Sequence, residues 1–215
     1  MAGKKYLKAL CAVAICLILA ACSTTYYATW EKLGKHKRDL LRDNVEEVSK
    51  EQSEAQEQFK DALTRLKELQ NFQGSELEST YEALKDDYDE SVERADAVRD
   101  RIEKIDTIAN DLFEEWQEEL ALITNRTFRS DSAAKLRETR QRYDGLRQAL
   151  KLSESRMDKV LVRFQDNVLY LKHNLNAQVV GGLKAEVISI EREVRQLIDD
   201  MQTSIGKADS FIQTL

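Results

Sequence analysis

The sequence predicts an all-α fold: an elongated antiparallel helical bundle, or coiled coil, of three long helices plus a shorter fourth. Three observations predict it. The 215 residues include no proline and only seven glycines, and 33% are charged, a composition suited to long helices. Apolar residues recur in alternating steps of four and three, the heptad signature of packed helices. Short polar or glycine-bearing stretches interrupt that pattern, and short connections make neighbouring helices antiparallel.

The chain opens with a different kind of segment. Lys4, Lys5 and Lys8 precede an apolar run over residues 9–18, followed by Leu19-Ala20-Ala21-Cys22. A basic start, an apolar core too short to span a bilayer and a small-residue ending read as a secretory signal. The ending resembles the lipobox of bacterial lipoproteins, in which the cysteine thiol is acylated and the chain is cut just before it. Residues 1–21 are therefore expected to be removed, with cleavage between Ala21 and Cys22 and lipidation of Cys22. Several acyl chains on one residue anchor stably. Ser23 in place of an aspartate points to the outer membrane, with the protein on its periplasmic face. Cys11 and Cys16 fall in the leader, so the mature chain carries no free thiol and no disulfide.

Residues 22–29 form the lipidated start and a short tether, and 30–215 the bundle. The first helix is expected over about 28–72, with its seam at Trp30, Leu33, Leu40, Leu41, Val45, Val48, Ala55, Phe59, Ala62, Leu66 and Leu69. Gly74 then stops it, and Ser75 with Glu78 forms a capping box for the second helix, over about 76–124. That helix carries the longest seam, from Leu77 to Ile123, broken only at Ser91 and Glu119. Polar and β-branched residues follow, and Ser130, Asp131 or Ser132 is expected to cap a third helix over about 131–178. Asn125-Arg126-Thr127 matches a glycosylation sequon and is read as chance. A fourth helix, about 183–213, has its seam at Leu183, Val187, Ile190, Val194, Leu197, Met201, Ile205, Ala208 and Ile212. The turn at Gly181-Gly182 lacks a clear cap. One unbroken helix from 131 to 214 is the alternative, but it would leave the fourth apolar stripe unburied.

The register can be written down. Folding about Gly74 sets residue i near 147 − i, so Trp30 meets Trp116, Val48 meets Val98 and Phe59 meets Tyr88. Folding about residue 127 sets Leu112 near Tyr143, Val98 near Met157 and small Ser91 near large Phe164.

Little in the chain suggests catalysis, and no enzyme activity, cofactor or metal is expected. The two histidines, His36 and His173, lie on different helices with no cysteine beside them. Neither a phosphate-binding glycine loop nor a Gly-x-Ser-x-Gly nucleophile motif occurs. The net charge of −6 becomes about −9 once the leader's three lysines go, which argues against nucleic-acid binding. Charge is unevenly placed, however. Lys35, Lys37, Arg38, Arg126 and Arg129 fall at the tethered end and are candidates for contact with anionic head groups. Tyr26, Tyr27 and Trp30 could sit among head groups or pack in the bundle end.

The stretches YYATWEKLGKHKRDLL, LFEEWQEEL, RYDGLRQALKLSESRMDKVLVRF and VLYLKHNLNAQ together resemble a proteobacterial lipoprotein family whose domain has no assigned function. The resemblance covers nearly the whole mature chain. It implies an all-helical lipoprotein and transfers no functional residue. It also leads one to expect Ala or Ser at Gly181-Gly182, which leaves the third turn open. The functional expectation is a structural or adaptor element of the envelope, working by protein contact or self-association. A ligand- or lipid-binding accessory module of an envelope transport system is the alternative.

Overall fold

The computed structural model describes residues 36–70, 77–174 and 182–215. These form four α-helices: α1 (Lys37–Gln70), α2 (Leu77–Leu122), α3 (Arg126–Asn174) and α4 (Lys184–Ile212). α1 packs on α2, α2 on α3, α3 on α4, and α4 back on α1. The result is an all-α, up-down-up-down bundle. At 1.5 Å per residue α2 and α3 are each about 70 Å long.

The heptad seams form its core. Every seam residue expected in α1 from Leu40 to Leu69 is buried, and in α3 the heptad-spaced Leu136, Tyr143, Leu146, Leu150, Met157, Val160, Phe164 and Leu171 are buried too. In α2 the seam crosses Glu119, which is exposed, by passing to buried Leu120. The last turns of α4 correct the expectation. Ile205 and Ile212 are only half-buried, while Ser204 and Phe211 face inward. Continuing the four-three rhythm from Met201 gives Ser204, Ala208 and Phe211, and Phe211 packs on Tyr143 with ring centroids 5.9 Å apart.

Polar pairs across the helices set the register. Asn44–Arg101, Glu54–Arg94 and Arg65–Asp87 straddle the fold about Gly74. Arg99–Asp158 and Arg147–Asp106 do the same for the fold about residue 127. The third reversal is present too: Arg156–Asp200, Arg163–Glu186 and Lys207 Nζ on the Gly145 carbonyl require α4 to run back along α3. A single helix from 131 to 214 is excluded. Leu183 caps α4 without a side-chain hydrogen bond.

The start of α3 differs from expectation. α3 begins at Arg126, not 131, because Asn125 caps it. Its Oδ1 accepts from the amides of Thr127 (3.0 Å) and Phe128 (3.2 Å), and its carbonyl accepts from Arg129. Two helix-end donors are thereby satisfied five residues early. The start of α1 expected near 28 falls outside the described residues, and the described α1 begins at Lys37. His36 precedes it, its carbonyl accepting from Asp39 and Leu40 and its amide donating to Asp39 Oδ2. Residues 28–35, Gly74, Ser75 and Gly181 lie outside the described residues.

Candidate functional site

The helices do not end together. α4 runs out at Ile212, and Leu215 beyond it lines one groove with Lys135, Glu138 and Arg142 of α3. α1 starts level with Glu115, to which Lys37 Nζ pairs at 3.2 Å. Among the described residues, the last turns of α2 and the first turns of α3 therefore project past both neighbours as a two-helix hairpin.

The groove formed beside that projection has a volume of about 740 Å³. Leu112, Trp116 and Leu215 give it an apolar floor, and Arg38, Glu119, Lys135 and Arg142 supply charge around it. Trp116 is held by its indole, which donates to Ser132 Oγ at 2.8 Å. Below the groove lies an aromatic cluster. Phe113 meets Tyr143 edge-on at 5.6 Å, and the Arg140 guanidinium sits 5.5 Å from the centroid of Phe113 while donating to the Phe113 carbonyl at 3.0 Å. The Tyr143 hydroxyl donates to Asp106 Oδ1, which Arg147 Nε also meets at 2.9 Å. Burial, then the bond to Asp106, pushes the Tyr143 phenol far above its ordinary ionisation range.

The hairpin tip is built differently. Ile123 turns inward and packs against the core. Leu122 and Phe128, on either side of the turn, are 79% and 66% exposed, the highest values among the large apolar side chains described. Arg126 and Arg129 are exposed beside them.

The sequence-predicted residues divide accordingly. Ala21, Cys22 and Lys35 lie outside the described residues, as do Tyr26, Tyr27 and Trp30. Arg38, Arg126 and Arg129 gather at one end of the bundle with outward side chains. Lys37 does not belong with them: its ammonium group is turned into the bundle toward Glu115, and its side chain is only 17% exposed. His36, just before α1, and His173, in the last turn of α3, are both exposed, and no metal-holding group of three acidic, His or Cys residues occurs among the described residues. Of the described helices none is long and apolar enough to cross a membrane.

Sequence reasoning missed Leu122 and Phe128, and with them Leu152, Val162, Leu169, Tyr170 and Ile188, all about half exposed. The signal was available: each is a large apolar residue off the heptad seam.

No curated protein matches the chain, and no solved structure does. Residues 26–215 match the family described as a protein of unknown function, DUF2959, and the chain belongs to that family.

Proposed function

We propose that the protein is a lipid-tethered element of a bacterial cell envelope. Acylated Cys22 holds it in the outer membrane, and the bundle stands in the periplasm and acts through protein contact, as a structural or adaptor element rather than a catalyst. The tether rests on the Leu19-Ala20-Ala21-Cys22 box behind its basic and apolar zones. The adaptor role is carried by one observation, the outer face of α3. Leu152, Val162, Leu169 and Tyr170 are 49–55% exposed. At 100° per residue they fall within an arc of about 100° opposite the core-facing seam. A helix that has already buried its seam gains nothing from further apolar side chains in water, so a stripe of them on the other side suits a partner.

Photo-crosslinking in living cells tests this. Probes replace Leu152, Val162, Leu169 and Tyr170, with Lys104 on α2 as a reference, and adducts are identified by mass spectrometry. One protein captured reproducibly from α3 and not from Lys104 supports an adaptor. Adducts to this chain alone support a structural self-assembly. Equal capture from both helices removes the α3 face from consideration. The 740 Å³ groove favours a second reading, an accessory module that carries a small amphiphile. Lipid or detergent copurifying in fixed stoichiometry would move that reading forward.

A further inference from the structure

We infer that the α2–α3 turn is a membrane contact in its own right: Leu122 and Phe128 enter the interfacial layer of an anionic bilayer, with Arg126 and Arg129 on the lipid phosphates. The inference deepens the tether reading and rests on it only for bringing this end of the bundle close to a membrane.

The two apolar side chains are presented, not merely left over. Ile123 fixes the turn from inside. Asn125 fixes it from the α3 side by accepting from Thr127 and Phe128. Phe128 is thus in the first turn of a capped helix and Leu122 is the last residue of α2, so both have a rigid backbone beneath them. Neither α1 nor α4 reaches far enough, among the described residues, to cover them.

The chemistry around the pair selects the occupant. Between Leu120 and Ser130 the only charged residues are Arg126 and Arg129, both exposed and without an ion-pair partner among the described residues. Large apolar side chains bracketed by arginines match a head-group layer, apolar just below and anionic at the surface. A second copy is a poorer fit. A two-fold contact through this tip brings the same arginines against each other, a like-charge juxtaposition that costs affinity. The path of the chain agrees. Thirteen residues separate Cys22 from His36, which at full extension reach at most about 50 Å, and His36 lines the groove beside Lys135 at the projecting end.

The test uses the full-length protein purified from membranes and reconstituted into vesicles of phosphatidylethanolamine with phosphatidylglycerol. An environment-sensitive dye is placed at Leu122→Cys or Phe128→Cys, with Leu152→Cys as the reference, and part of the lipid is brominated along its acyl chains. Expected are a blue-shifted emission and bromolipid quenching at 122 and 128 but not at 152, both reduced by Arg126→Glu with Arg129→Glu. Emission at 122 and 128 like that at 152 overturns the inference. So does a blue shift without quenching, which would mean that another copy or another protein covers the tip. The mass of the N-terminal peptide is read from the same sample. Quenching with an unmodified Cys22 removes the tether and keeps the membrane contact, whereas an acylated Cys22 without quenching does the reverse.

Discussion

Gln52 Nε2 on α1 donates to the Ser153 hydroxyl on α3 at 2.8 Å, straight across the bundle. Ser204 Oγ of α4 meets Gln52 Oε1 from a third side. All three residues are fully buried. A polar layer at one level of an otherwise apolar seam sets register, because a slip of one turn would face the carboxamide with side chains that cannot bond to it.

The two serines have acceptors of their own in the helix backbone, Leu150 O at 2.8 Å and Met201 O at 2.9 Å. Gln52→Leu therefore leaves no hydroxyl stranded and is expected to keep stability within about 1 kcal/mol of the parent. Gln52→Ala leaves the same hydroxyls satisfied but opens a cavity, at a cost of about 2 kcal/mol or more. Urea denaturation of both variants checks the pair. Equal losses would show that the layer contributes through its hydrogen bonds, not through its volume.

Tyr143 makes stability depend on alkaline pH. Burial and its bond to Asp106 raise its ionisation above the ordinary value of 10.0. Above that pH the unfolded chain has released the phenolic proton while the folded chain still holds it. Folding then binds a proton, and stability falls as pH rises. Between about pH 10 and 12 the urea midpoint of the parent is expected to drop more steeply than that of Tyr143→Phe. At neutral pH the substitution, which orphans one bond to Asp106, is expected to cost about 1 kcal/mol.

Asn125→Ala removes the acceptor for two amides at the start of α3. A loss of about 1 kcal/mol is expected, with faster hydrogen exchange at Thr127 and Phe128. Asn125→Ser or Asn125→Asp should recover most of it. Unchanged exchange at those two amides would show that the turn is held by Ile123 alone.

Two glycines offer the opposite outcome. Gly206 is exposed within α4, and a methyl there meets nothing within 4 Å. Gly145 lies inside α3, where a methyl comes only to 3.9 Å from the flexible end of Lys207. Glycine is the poorest non-proline helix former, so each change to alanine is expected to stabilise by roughly 0.5–1 kcal/mol. Thermal unfolding of the single and double variants measures this, and any departure from additivity reads the coupling through Lys207, which sits beside Gly206 and donates to the Gly145 carbonyl.

The helices and their order were legible because burial follows periodicity, and the seam from Leu40 to Leu69 or Leu136 to Leu171 needs no knowledge of the partner. The cap of α3 was less so. Ser130, Asp131 and Ser132 are all sound capping residues, and nothing local says that Asn125 takes the role first. The shift from Ile205 to Ser204 was hidden for another reason. A serine outranks an isoleucine at a seam position only when a distant carboxamide, here that of Gln52, waits for it. The candidate site was the least legible part. Basic residues marked the end of the bundle, but Lys37 proved to face Glu115. That Leu122 and Phe128 lie off the seam could be read from the sequence, but that neither neighbouring helix covers them, among the described residues, showed only when the helix ends could be compared.

Those unequal ends have a mechanical meaning. Over most of its length the bundle is four helices thick, and at the hairpin, among the described residues, it narrows toward two. Resistance to bending rises steeply with cross-section. A sideways load on the far end is therefore carried by the thick part without much flexing, and the strain collects in the few turns where, of the described helices, only α2 and α3 continue. The four described helices make a stiff lever with its compliant section at one end, and whatever that end rests on sets the pivot.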